Sequence, residues 1–199
     1  MPELQKELEL NFHPLSQVDS EAADAAAISA AMDQVEQMLE EVAKSSGAAG
    51  DAIWHLLGAG GKRIRPRLTL LLAGTSTNFD GDFPIELAAA SELIHTASLL
   101  HDDVIDEGTL RRGKETTRLV WSNTVSVLAG DHCLASAVDL VRRVDTGVVL
   151  AESLNAVQTL VNGELLQLRS KGTLLLDETH YRRICELKTA SLFVWCSRA

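Results

Sequence analysis

The placement of proline constrains this chain more than any other feature. Pro2, Pro14, Pro66 and Pro84 are its four prolines, and everything beyond Pro84 is free of the residue that most strongly breaks helices. Long uninterrupted helices are therefore permitted over more than half of the 199 residues. Aromatic residues make up only 4 %, so a core has to be built from Leu, Ala, Val and Ile, which suits helix-on-helix packing better than an aromatic-rich sandwich of sheets. The expected fold is all-α, a single bundle of long, mostly antiparallel helices over residues 1–199, with about the first 18 residues poorly ordered.

Hydrophobic spacing divides this bundle. A first helix is expected from Asp19 or Ser20, both good N-caps, through Ile28, Met32, Val35, Met38, Leu39 and Val42 to Ser45-Ser46-Gly47. A second runs from Asp51 to about Leu57 and is broken by Gly58, Gly60 and Gly61. The third carries Pro66 in its first turn, where a missing N–H costs least, and ends near Gly74. After a connection over 75–83, Pro84 opens a fourth helix whose Leu87, Ala90, Ile94, Ala97 and Leu100 share a stripe that continues to at least Ile105. Gly108 and Gly113 then bracket a charged loop. Two more helices fit 123–143 and 148–168, and after a turn at 170–173 a last helical stretch runs from an Asp177 N-cap toward Arg198.

Acidic residues outnumber basic ones by 28 to 18, for a formal charge of −10. That sign repels phosphodiester backbones and anionic membranes and argues against a nucleic-acid binder. Cys133, Cys185 and Cys196 show neither disulfide nor paired metal spacing, and the acidic N-terminus lacks the form of a secretory signal. No run approaches the roughly 18 apolar residues that span a bilayer. The expectation is a protein of the reducing cytoplasm with no transmembrane segment.

Chemistry concentrates at a few points. His101-Asp102-Asp103-Val104-Ile105-Asp106 closes the fourth helix. Asp102 and Asp106 are four apart, so their carboxylates leave the same face about one turn, ~5.4 Å, from each other. Like charges at the negative end of a helix dipole are unfavourable. A hard cation such as Mg²⁺, which takes one or two protein carboxylates and completes its shell with water and phosphate, offsets that cost; a solvated charge cluster is the competing reading. Gly60-Gly61-Lys62-Arg63-Ile64-Arg65-Pro66 leads three cations into a helix start, where backbone N–H groups attract anions. It is not a Walker A loop, because Leu56 stands where the first glycine is needed and Arg63 follows Lys62; a surface basic patch is the alternative. Leu110-Arg111-Arg112-Gly113 offers either planar forks for phosphate oxygens or surface pairs with Asp106 and Glu107, and Lys188-Thr189 carries the same ambiguity. Carboxylates for a metal beside several cations for phosphate is the pattern of diphosphate chemistry.

Taken together, GGKRIRP (60–66), ELIHTASLLHDDVIDEGTLRRGK (92–114), LAGDHCLA (128–135), GELLQL (163–168) and KTASLF (188–193) resemble the trans-isoprenyl diphosphate synthases, the polyprenyl synthetase family, of long-chain type. The resemblance implies helices around a deep central cavity and a Mg²⁺-dependent prenyltransferase that condenses isopentenyl diphosphate with an allylic diphosphate. In that family the allylic diphosphate leaves, the double bond of isopentenyl diphosphate attacks the resulting cation, and a proton is lost. Carried over by motif position, Asp102 and Asp106 are the metal ligands and Asp103 supports them. Lys62, Arg65, His95 and Arg112 hold isopentenyl diphosphate, while Arg111, Lys188 and Thr189 contact the allylic diphosphate. His95 lies two helical turns before Asp102, so its spacing independently permits it to face the site. Ala97 and Ser98 are small where short-chain members carry aromatic rings, which implies a long-chain pocket with Ile94 as the next constriction.

The sequence also departs from the family. No second aspartate-rich motif follows KTASLF, and Glu115-Thr116-Thr117 stands where Pro-Thr is usual. The expectation is a C-terminally truncated member. Either it is an active synthase whose C-terminal part is supplied by a second chain or is missing from this sequence, or it is a non-catalytic subunit that dimerises through the helices over 123–168 and binds substrate or regulates an intact synthase; a homodimer or a heteromer with a related subunit is expected. A helical metal phosphohydrolase built on His95 and His101-Asp102 is the remote alternative, and it explains neither GGKRIRP nor RRG.

Overall fold

The computed structural model describes residues 16–75, 84–144, 147–171 and 177–199. Helices α1 (Ser16–Ser45), α2 (Gly50–Leu57), α3 (Ile64–Gly74) and α4 (Ile85–Ile105) are followed by a two-stranded hairpin, β1 (Leu110–Arg111) and β2 (Lys114–Glu115). Then come α5 (Thr117–Val120), α6 (Asn123–Val144), α7 (Val148–Ser170), α8 (Glu178–Cys185), a π-helical turn (Glu186–Ala190) and α9 (Ser191–Cys196). The all-α expectation holds. The first helix begins at Ser16 instead of Asp19 or Ser20, because nothing in Ser16-Gln17-Val18 breaks a helix. Asp177 caps α8 as expected, its carboxylate accepting from the Thr179 N–H at 2.9 Å. Most of the expected disordered N-terminus, most of the 75–83 connection and part of the 170–173 turn lie outside the described residues.

The bracketed loop is a correction: it is a hairpin. Leu110 pairs with Glu115 and Arg111 with Lys114, which leaves Arg112 and Gly113 as the two turn residues. Both have positive φ, 52° and 78°, the requirement of a type I′ turn, whose twist matches that of the strands it joins. Gly113 takes that conformation without strain, and Arg112 is thereby thrust out at the tip.

Helix α4 is the centre of the bundle. It packs most extensively along α6 and also touches α1, α2, α3, α5 and α9. Small residues make this possible: Ala88, Ala89, Ala90 and Ala97 on α4, and Ala129, Gly130, Cys133 and Ala137 on α6, are all buried, so the backbones approach closely. Larger side chains fill the remainder. Leu93 and Leu100 are fully buried, each contributing about 1.5–3 kcal/mol. The Ser126 hydroxyl donates to the Leu100 carbonyl at 2.8 Å and pins the register of the two helices. By length and composition α6 would suffice to cross a membrane, a possibility that reading uninterrupted apolar runs passed over; in this fold it is the long neighbour of α4.

Candidate functional site

The carboxylates at the end of α4 divide by direction. Asp102 is partly buried, with Oδ2 3.3 Å from the Lys188 ammonium. Burial raises its carboxyl above the usual range, Glu164 and Asp106 add to the rise, and Lys188 opposes it. Asp106 is exposed at the helix C-cap, where its oxygen lies 3.3 Å from the Lys171 ammonium. Asp103 turns inward and is 4 % exposed. Its Oδ1 accepts from both Nε and Nη2 of Arg111 at 2.9 Å, so Arg111 pairs with Asp103 and not with Asp106 or Glu107.

Two carboxylates one turn apart, one of them held above its ordinary range first by burial and then by the neighbouring acids Glu164 and Asp106, fit a Mg²⁺ ion. That ion takes few protein ligands and fills its shell with water and phosphate oxygen. Among the described residues no cluster of three or more His, Cys, Asp or Glu side chains suits a metal.

Three elements bring Arg65, Arg112 and His95 near one another. The Arg65 guanidinium on α3 stacks over the Phe193 ring of α9, 4.6 Å from its centroid. Its Nε is buried without a partner among the described residues. Burial lowers the Arg65 pKa, with the charge of Glu92 opposing. Arg112 reaches from the hairpin to the glycine pair, its Nη1 2.9 Å from where a Cβ on Gly61 would stand. His95 sits among them, pushed down to about 3, first by burial and then by the charges of Arg65, Arg112, Arg111 and Arg63. The imidazole is therefore neutral in a strongly electropositive space. Lys62 is exposed, and no ion pair among the described residues involves Lys62, Arg65 or Arg112. A site with this much unopposed positive charge is suited to a polyanion.

Of the three cations in GGKRIR, Arg63 departs from the expectation of a phosphate ligand. It caps α3 in the left-handed conformation at φ 47°, and its guanidinium turns back to Glu36 (2.6 Å), Glu92 (3.0 Å) and the Leu57 carbonyl (2.9 Å). It clips α1, α2, α3 and α4 together. The π turn carries Lys188 against α7, where its ammonium meets Glu164 as well as Asp102. Thr189 is exposed on the same turn, in a groove shared with Tyr181, Cys185 and Phe193. Ile94 and Ala97 are buried in the core, and the half-buried Ser98 donates its hydroxyl to the His95 carbonyl at 2.7 Å. His101, from the family-like HDD segment, reaches Asp131 of LAGD at 3.3 Å. Glu164 is the residue that sequence reasoning missed. Its signal was one acid in the otherwise apolar run Gly163-Glu164-Leu165-Leu166.

Fold and site together define a helical bundle of the isoprenoid-synthase type. The sequence profile of the polyprenyl synthetases matches residues 46–199, and the chain belongs to the polyprenyl synthetase family. It is 39 % identical over 140 residues to the octaprenyl diphosphate synthase of Escherichia coli (strain K12), covering 70 % of this chain and 43 % of that protein. To the heptaprenyl diphosphate synthase component 2 of Bacillus subtilis (strain 168) it is 35 % identical over 162 residues, 81 % of this chain and 46 % of that one. The crystal structure of a polyprenyl synthase from Caulobacter crescentus CB15, complexed with calcium and isoprenyl diphosphate, superposes with a TM-score of 0.78 at 38 % identity, covering 85 % of this chain and 52 % of the other. The chain thus spans less than half the length of these curated relatives.

Proposed function

We propose that residues 1–199 form one helical domain of a long-chain polyprenyl diphosphate synthase, acting in the cytoplasm on isopentenyl diphosphate and an allylic prenyl diphosphate. The observation that carries this reading is the unpaired cation cluster of Arg65, Arg112 and neutral His95 beside the Asp102–Asp106 pair. Asp102 and Asp106 would hold Mg²⁺, which when bound neutralises the allylic diphosphate as a leaving group. Asp103 fixes the Arg111 fork so that it approaches that diphosphate in one orientation, with Lys188 and Thr189 from the π turn. Lys62, Arg65, His95 and Arg112 hold isopentenyl diphosphate, and a neutral His95 donates a hydrogen bond without adding to the mutual repulsion of the cations. The C–O bond to the allylic diphosphate breaks, the C–C bond to isopentenyl diphosphate forms, and one proton leaves. Ala97, Ser98 and Ile94 bound the space for the growing chain.

A heteromeric form is the second reading, favoured by the likeness to a protein named as component 2 of a heptaprenyl diphosphate synthase. Val127, Leu128, Leu154, Val161 and Leu165 on α6 and α7 are exposed apolar residues that would pair with a second copy or a related subunit. The test is incubation of the purified chain with Mg²⁺, isopentenyl diphosphate and farnesyl or geranylgeranyl diphosphate, followed by chain-length analysis. Elongation that disappears in Asp102→Ala is the expected result. Inactivity relieved by a second chain selects the heteromer, and inactivity under both conditions refutes the synthase reading.

A further inference from the structure

One buried carboxylate beside the site has no part in the chemistry above. Glu164 of the GELLQL segment is 6 % exposed, and burying a carboxylate is costly unless it is paired. Its partner is the Lys188 ammonium, the same group that lies 3.3 Å from Asp102 Oδ2. Its Oε1 is buried with no partner among the described residues. The backbone is arranged for this contact. A Cβ at position 163 would stand 2.7 Å from the Lys188 amide nitrogen and 2.8 Å from Leu187 Cβ, and Gly163 removes that obstacle so that the π turn can press onto α7.

We infer that Glu164 is a positioning residue that draws the Lys188 ammonium off Asp102 when a divalent cation takes that carboxylate, and retains it at the edge of the site for the diphosphate. The inference rests on Asp102 and Asp106 being the metal carboxylates. With Glu164 present, the ammonium can give up one carboxylate and keep another without leaving the buried space. With Glu164 absent, Asp102 is its only acid partner, and the ammonium competes with the cation for the same oxygen. A lysine in its ordinary state is an ammonium at neutral pH, so the competitor is a cation.

The experiment is Mn²⁺ binding to the full chain, followed by the loss of the free-ion electron paramagnetic resonance signal, for the wild type, Glu164→Gln, Lys188→Gln and the double variant, each checked for folding by urea denaturation. Glu164→Gln should bind Mn²⁺ about tenfold more weakly, a change of about 1.4 kcal/mol, and Lys188→Gln more tightly. In the Lys188→Gln background the Glu164 substitution should change affinity by no more than about twofold, because its effect runs through the lysine. Equal affinity of Glu164→Gln and wild type overturns the inference, as does a full tenfold loss in the double variant, which would make Glu164 a remote charge and nothing more. Should Glu164→Gln not fold, Glu164→Asp keeps the charge and shortens the reach; weaker binding supports the inference and wild-type affinity refutes it. Mn²⁺ binding that is absent from the wild type, or untouched by Asp102→Ala, defeats the metal reading itself and the inference with it.

Discussion

Replacing His95 with glutamine should change how the stability of this protein depends on pH. The imidazole is pushed down to about 3 by burial and by four arginines, whereas in the unfolded chain it titrates near its ordinary value of about 6.5. Between these values the unfolded state binds more protons than the folded one, so stability is complete above pH 6.5 and falls as the pH drops toward 3. At about 1.36 kcal/mol per unit the full separation approaches 5 kcal/mol, and about 2 kcal/mol of it is lost between pH 7 and pH 5. Asp102 acts in the opposite sense, because a carboxyl raised by folding binds protons more readily in the folded state. It is common to both proteins and cancels in the comparison. Urea denaturation followed by circular dichroism at pH 7 and pH 5 should therefore show a wild type that loses about 2 kcal/mol more than His95→Gln. Saturating inorganic diphosphate should shrink the difference, since an anion among Arg65, Arg111 and Arg112 offsets the positive field that adds to burial in keeping the imidazole neutral. Parallel pH dependences for the two proteins would refute the placement of His95 in an electropositive, largely buried space.

Two further outcomes follow from the packing. Arg63→Met strips the guanidinium from Glu92, whose side chain is 5 % exposed, and an uncompensated buried carboxylate should lower stability by about 3–5 kcal/mol. Adding Glu92→Gln should restore part of that loss, as read from urea midpoints, while the exposed end of the network at Glu36 matters little. Ala97→Phe, at a buried position on α4, should cost about 1–3 kcal/mol through overpacking and shorten the products of an active preparation, measured by chromatography. An unchanged product distribution would remove Ala97 from the chain-length pocket.

How far the site could be read in advance differs from residue to residue. That Asp102 and Asp106 leave one face of α4 was legible because a spacing of four along a helix is a local rule that folding does not alter. The long helical spans were legible for the same reason, whereas among the described residues the Ser16 start, the 3-10 turn at Gly47–Ala49, the hairpin, the short α5 and the π turn departed from the expectation. The hairpin escaped notice because its strands are two residues long, too short for any alternation of side chains to show. The extra residue accommodated by the π turn has no signature in composition.

By itself, the sequence determined the all-helical class, the family, and which residue types carry charge toward an anion and a metal. The tertiary structure decided their division of labour. In GGKRIRP it sent Arg63 to Glu36 and Glu92 and left Arg65 without an ion-pair partner among the described residues. Of the three aspartates it turned Asp103 inward to hold Arg111, and it set Lys188 between Asp102 and Glu164 of GELLQL, to which the sequence had assigned no role. Periodicity is written into neighbouring positions, whereas the choice of partner for a buried charge is made between residues dozens of positions apart, where desolvation permits few unpaired groups and only the packed helices fix which opposite charge lies within reach.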